Sequence, residues 1–102
     1  MSEKKEKLEL SEEELNGVSG GMGAQEFVNI ANSFESIGDA AQRQVEAYVN
    51  GQWVVCTIVS ARFRILDRGK SIEAFYSVKL QDGNTVYFDD KYGIYNLRFI
   101  GQ

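Results

Sequence analysis

The sequence WVVCTIVSARFRI, residues 53–65, is a long run rich in β-branched and aromatic residues. Such residues favour β-strands, and successive side chains of a strand point to opposite faces of the sheet. Val54, Cys56 and Ile58 therefore share one predicted face, while Trp53 begins the other. The run predicts a long strand within a mainly β domain.

Shorter strand signals lie on both sides of this run. They cover residues 45–49, 74–80, 85–88 and 97–100. The dipeptides Asn50-Gly51 and Asp82-Gly83 separate some of them in the way that tight turns separate antiparallel strands. Because the chain contains no proline, we predict five uninterrupted strands that form a small barrel over residues 44–102.

Residues 25–42 carry apolar side chains at intervals of three and four positions, which is the spacing of an amphipathic helix. The apolar stripe consists of Phe27, Ile30, Ala31, Phe34, Ile37 and Ala41. A helix that inserts into membranes usually has a basic polar face, whereas this polar face is acidic to neutral. We therefore expect the helix to dock on its own barrel or to pair with another copy of the chain, rather than to enter a membrane.

Charge and composition exclude several classes of function. The first 21 residues contain three lysines and six glutamates, and the rest contains eight basic and nine acidic residues. This nearly neutral remainder gives no electrostatic reason to expect a nucleic-acid partner. The chain has no histidine and a single cysteine, Cys56, so no disulfide, metal site or catalytic triad is predicted. Cys56 lacks a histidine base and lies in an apolar run, so we expect a core residue, no cofactor and no enzymatic activity.

The segment LSEEELNGVSGG, residues 10–21, carries a second pattern. The positions that define it are Leu10, Ser11, Glu14, Leu15, Val18, Gly20 and Gly21. Ser11 and Glu14 have the spacing of a capping box, which satisfies backbone N–H groups at the start of a helix. A helix this short is not stable alone in water, so we expect it to form only when a groove accepts its apolar side chains.

This pattern resembles the double-glycine leader of bacteriocins and related exported peptides. In that family, the papain-like peptidase domain of a dedicated ABC exporter recognises the leader and cuts after the second glycine. The resemblance implies that residues 1–21 are a leader peptide, with Gly20 and Gly21 as the cleavage site. The recognised positions would be Leu10, Ser11, Glu14, Leu15 and Val18. It also implies a cytoplasmic precursor and a mature protein that is secreted.

A second resemblance covers the strands. Its motifs are Val45-x-Ala47, Asn50-Gly51-Gln52-Trp53, Cys56-x-Ile58, Tyr76-x-Val78-x-Leu80-x-Asp82-Gly83 and Asn96-Leu97-Arg98-Phe99-Ile100. They resemble a Tudor-type, Src-homology-like small barrel, and Tudor domains often hold methylated lysine or arginine in an aromatic cage. The candidate aromatic surface comprises Tyr48, Trp53, Tyr76, Phe88 and Tyr92. A small barrel also needs such rings to fill and cover its core, so both uses stay open.

Two functions of different kinds follow. The first is a secreted bacteriocin-like or effector precursor with a leader at 1–21, a linker and amphipathic helix at 22–43, and a barrel at 44–102. The alternative is an intracellular Tudor-like module that binds a protein or ligand and carries a disordered N-terminal tail. The leader pattern favours the first function, which has the exporter peptidase domain as its partner.

Overall fold

The computed structural model describes residues 21–101 of the chain. These residues form one α-helix and a five-stranded antiparallel sheet. Helix α1 spans Ala24–Ile37, and 3-10 turns follow at Gly38–Ala41 and at Asp67–Gly69. The strands are β1 (Arg43–Val49), β2 (Gln52–Leu66), β3 (Ser71–Lys79), β4 (Thr85–Lys91) and β5 (Leu97–Arg98). The predicted mainly β class with a preceding helix is confirmed, while closure of the sheet into a barrel stays a prediction.

Strand β2 is the longest strand, with 15 residues, in a sheet whose order is β4-β3-β2-β1-β5. It pairs with β1 from Gln52 to Ile58 and with β3 from Thr57 to Leu66. The register shifts between Ile58 and Ser60, and a bulge of this kind increases the local twist of a strand. The two halves of β2 therefore pair mainly with different neighbours.

The Asn50-Gly51 turn between β1 and β2 confirms the hairpin predicted there. The φ angles are +53° at Asn50 and +84° at Gly51. Two consecutive positive φ angles characterise the turns whose twist matches that of paired antiparallel strands. Asparagine and glycine adopt this conformation with the least strain.

Helix α1 has a defined start and end. The backbone N–H of Gly23 donates to Oε1 of Glu26 at 3.0 Å, which gives a partner to a donor that a helix start leaves unsatisfied. The helix ends at Ile37 because Gly38 adopts a φ of +60°. The predicted helical span of 25–42 is therefore too long at its C-terminal end, where the chain forms a 3-10 turn instead.

The apolar stripe of α1 packs on the sheet of its own chain. Phe27 is fully buried, and its ring centroid lies 5.5 Å from that of Tyr76 in β3. Ile30 and Ala31 are also buried, whereas Ile37 is 57% exposed. The predicted docking on the same chain is confirmed for the N-terminal half of the helix, and pairing between copies stays a prediction.

One hydrophobic core joins the helix to the sheet. Its largest fully buried side chains are Phe27, Met22, Ile58, Ile72, Ile94, Leu97, Val45 and Val78. They come from α1, from the residues just before it, from four strands and from the loop that precedes β5. The predicted segments 22–43 and 44–102 therefore share a single core.

Candidate functional site

The predicted cleavage site lies at the start of the described chain. The predicted recognition residues Leu10, Ser11, Glu14, Leu15 and Val18, together with Gly20, lie outside the described residues. Gly21 and Met22, which flank the predicted scissile bond, lie within them and precede α1. The geometry of the site can therefore be followed from Gly21 onward.

Gly21 packs against the backbone of the loop that precedes β5. A Cβ atom at this position would overlap the carbonyl oxygen of Ile94 and would stand 3.0 Å from its carbonyl carbon. It would also come within 3.5 Å of the Cα atom of Tyr95. Backbone atoms in a packed structure cannot swing aside as the end of a flexible side chain can. The fold therefore requires glycine here, independently of any peptidase.

Met22 is anchored through both its side chain and its backbone. Its side chain belongs to the core, and the residue is only 2% exposed. Its backbone N–H donates to the carbonyl oxygen of Leu97 at 3.1 Å. Leu97 is itself fully buried and pairs with Ala47 of β1. The residue that would follow the cut is therefore tied to strand β5 of the folded sheet.

Asp90, at the end of β4, holds the loop that receives this segment. Its Oδ2 atom accepts hydrogen bonds from the hydroxyl of Tyr76 at 2.5 Å and from the backbone N–H groups of Tyr95 at 2.9 Å and Asn96 at 3.3 Å. Its Oδ1 atom accepts from the side-chain amide of Asn96 at 2.8 Å. Because Asp90 is buried, these bonds replace the water that a carboxylate otherwise binds. They hold the backbone immediately beyond Ile94.

Asp90 was not among the residues predicted to have a role. A signal for it is present in the sequence, because Val86, Phe88 and Asp90 occupy alternate positions of β4 and so share one face of the strand. A carboxylate that continues an apolar alternation must find hydrogen-bond partners when it is buried. The alternation could thus have shown that Asp90 faces inward, but it could not have named its partners.

The environment of Asp90 leads to a prediction about high pH. Burial and the nearby Asp90 carboxylate raise the pKa of Tyr76, and the same two causes raise the pKa of Tyr95. An unfolded tyrosine has a pKa of about 10. Because the pKa values of Tyr76 and Tyr95 are higher in the folded protein, the free energy of unfolding keeps its full value below about pH 10 and falls as the pH rises above it. Ultraviolet absorbance should detect fewer tyrosinates in the folded protein than in denaturant at the same alkaline pH. Identical titration curves in the two conditions would contradict this.

The five aromatic residues predicted as a candidate binding surface do not form one cluster, because four of them fall into two separate pairs. Tyr48 and Trp53 contact each other with ring centroids 5.2 Å apart, and Tyr76 stacks on Phe88 at 4.9 Å. Tyr76 belongs to the core beneath α1, while Tyr48 lies on the opposite face of the sheet, next to the buried Ala47 in β1. The fifth ring, Tyr92, is 57% exposed. Among residues 21–101, no ring contact joins the two pairs.

The Tyr48–Trp53 pair lies beside a cation supplied by the chain itself. The guanidinium of Arg98 stands 4.2 Å from the centroid of the Trp53 ring. Its Nε atom donates to Oε1 of Glu46 at 2.7 Å, so the cation is held in place by an ion pair. One face of Trp53 therefore already makes the cation–π contact that a methylated ligand would need.

An open groove of about 440 Å³ lies next to the β1–β2 turn. It is lined by Val49, Asn50, Gln52, Val54, Val55, Leu80, Gln81 and Asp82. These side chains are apolar or amides, with a single carboxylate. The groove thus lacks the paired nucleophile and base from which an active site is built.

Cys56 lies in the core, as predicted. The residue is 2% exposed, and burial raises the pKa of its thiol to about 11. Because the thiolate is the reactive form of cysteine, this environment suits packing rather than nucleophilic chemistry. Within residues 21–101, no group of three or more cysteine and carboxylate side chains is placed to hold a metal ion. None of the helices in that range combines the length and the hydropathy needed to span a membrane.

Comparisons with known proteins do not identify a family. The chain matches no protein-family model, no curated protein and no solved structure. Function is therefore inferred from the leader pattern and from the geometry at residues 21–23.

Proposed function

We propose that the chain is the precursor of a secreted bacteriocin-like or effector protein. A peptidase-containing ABC transporter cleaves it after Gly21 and exports the remainder. The proposal is supported by the pattern at residues 10–21, in which seven positions match the double-glycine leader at fixed spacing.

The observation that carries the proposal is where the double glycine falls relative to the folded domain. Met22, the residue after the proposed cut, is the first residue of the described hydrophobic core. A cut after Gly21 therefore removes none of the described core side chains. The new amino group at Met22 would still be able to donate to the carbonyl oxygen of Leu97, which now accepts from its backbone N–H. The proposed cut thus leaves the described core side chains, and the contact between Met22 and Leu97, within the exported part.

The exported part, from Met22 onward, would contain every side chain of the described core. Its helix, its five strands and the Asp90 hydrogen bonds all lie beyond Gly21. The stripe of α1 that a pore-forming helix would present to lipid is already used at Phe27 and Ile30 to cover the sheet. A role carried by a folded protein surface is therefore favoured over membrane insertion by this helix.

The alternative is an intracellular Tudor-like module that binds a protein or ligand near the Tyr48–Trp53 pair. Its support is an aromatic pair on the face of the sheet opposite α1. Arg98 already occupies one face of Trp53, which gives this pair a structural use within the chain. The secreted precursor is for that reason the better supported of the two functions.

Cleavage after Gly21 is tested on the protein that the producing cells secrete. We expect intact mass spectrometry and N-terminal sequencing to give a chain that begins at Met22. Gly20→Val should block processing, because a branched side chain cannot approach the peptidase cleft as closely as glycine does. Asn16→Val is the matched control, since position 16 is variable in the leader pattern, and it should be processed like the unchanged chain. Secreted protein that retains residues 11–21, or equal processing of both variants, would overturn the proposal.

A further inference from the structure

We propose that folding of the domain closes the Gly21–Met22 bond to peptidases, so that the bond is cut only when residues 21–23 have left their packed position. This inference rests on the proposed function for the identity of the peptidase, but its structural basis is independent of it. The folded precursor is then a poor substrate, and processing precedes folding or requires the segment to be pulled free.

A peptidase cleft must surround the bond that it cuts. It holds the residues on both sides of that bond in an extended form, with their side chains and backbone groups in its own subsites. In the folded chain these groups are already engaged, because the Met22 side chain is buried and its N–H donates to Leu97. Gly21 lies against the backbone of Ile94 so closely that not even a methyl group fits between them. The folded domain and the peptidase therefore compete for the same atoms.

The competition is local to a short segment. Residues 21–23 precede α1, and the helix that follows is fixed by Ala24 and Phe27, both of which are fully or almost fully buried. Release of the segment exposes the Met22 side chain and breaks its bond to Leu97, while α1 can stay on the sheet. Burial of one large apolar side chain corresponds to an equilibrium factor of about ten to a hundred. Proteolysis of a transiently opened segment follows the population of the open form when opening is fast, so we expect protection of that size.

Thermolysin is a suitable probe because it cuts before large apolar residues such as Met22. The full chain is incubated with it in native buffer, and mass spectrometry measures the appearance of the fragment that begins at Met22. A synthetic peptide of residues 16–28 supplies the rate for the unprotected bond. We expect the bond in the folded chain to be cut at least about tenfold more slowly than in the peptide. Cleavage of the folded chain at the rate of the peptide would overturn the inference.

Two glycine substitutions on either side of Met22 form a matched pair. Gly21→Ala places a Cβ atom into the backbone of Ile94 and should release the segment, which brings the cleavage rate toward that of the peptide. Gly23→Ala brings its Cβ atom only to 3.3 Å from Oε1 of Glu26, at the end of a flexible side chain. This variant should stay protected. Equal acceleration in both variants would contradict a specific role for the position of Gly21.

A measurement on the unchanged protein covers the case in which Gly21→Ala fails to fold, which circular dichroism would reveal. Hydrogen exchange at the Met22 N–H should be slowed by its bond to Leu97, and exchange as fast as in the peptide would overturn the inference. These assays use only the chain and thermolysin. Their failure is therefore distinguishable from failure of the proposed function, which depends on where the secreted protein begins.

Discussion

Asp90→Ala is expected to lower the free energy of unfolding by about 3–4 kcal/mol. The substitution removes one carboxylate that accepts four hydrogen bonds, from Tyr76, Tyr95 and Asn96. A buried donor left without an acceptor costs about 1–3 kcal/mol. The costs do not add in full, because the donors of the loop can turn toward water once the loop relaxes. The hydroxyl of Tyr76 lies deepest and should contribute most.

Asp39→Ala is the matched control for this experiment. Asp39 is an exposed aspartate in the 3-10 turn Gly38–Ala41, away from the hydrogen bonds of Asp90. Its replacement should change the free energy of unfolding by no more than about 0.5 kcal/mol. Urea denaturation followed by the fluorescence of the single tryptophan, Trp53, measures both values. Similar losses in the two variants would show that the buried hydrogen bonds do not have the importance assigned to them.

Phe27→Ala is expected to cost about 3–5 kcal/mol, the range for removal of a buried phenylalanine. Phe27 is 0% exposed, and its ring contacts that of Tyr76, so the substitution removes apolar area and also an aromatic pair. A domain of this size has a total stability of only about 5–15 kcal/mol. The variant should therefore be marginally folded at room temperature.

Ile37→Ala serves as the control on the same helix. Ile37 is 57% exposed, so this substitution should cost less than about 1 kcal/mol. Thermal and urea melts of the two variants test whether α1 belongs to the cooperative unit. A loss below 1 kcal/mol for Phe27→Ala would mean that the sheet is stable without the helix, contrary to the shared core described above.

Local pattern was sufficient to predict most of the secondary structure. The alternation around Cys56 and Ile58 places both on the buried face of β2, as predicted. The Asn50-Gly51 dipeptide forms the expected turn, because its two positive φ angles depend on these residues alone. The helix was also correct as far as Ile37, where the positive φ angle of Gly38 ends it, although Ile37 of the predicted stripe is exposed.

Burial on the second face of β3 could not be predicted in this way. Tyr76 and Val78 alternate along β3 and lie on the core side, yet Glu73 and Ser77 on the opposite face are also buried. Glu73 is covered by its contact with Arg64 at 2.6 Å, and the Ser77 hydroxyl lies 2.6 Å from that of Ser60. These partners come from β2, and only the register of the two strands brings them opposite β3.

The aromatic residues illustrate the same limit. The sequence contains the five rings of the candidate surface, but their separation into the Tyr48–Trp53 and Tyr76–Phe88 pairs depends on strand register and on which face each strand presents. The position of Arg98 over Trp53 depends on β5 pairing with β1, where Arg98 lies opposite Glu46. A list of aromatic residues therefore predicts that rings are available, but not that they surround one site.

By itself, the sequence determined the leader pattern, the strand periods, the tight turn and the helical stripe, because each depends on residues that are neighbours along the chain. Only the tertiary structure decided that Gly21 lies against Ile94, that Met22 is bonded to Leu97 and that Asp90 holds the receiving loop. The residues in the first two contacts are far apart in sequence, and they meet because β5 pairs with β1 and α1 covers the sheet. Glycine at position 21 thus has two separate physical reasons, one proposed from the leader pattern and one that arises from close backbone packing in the fold.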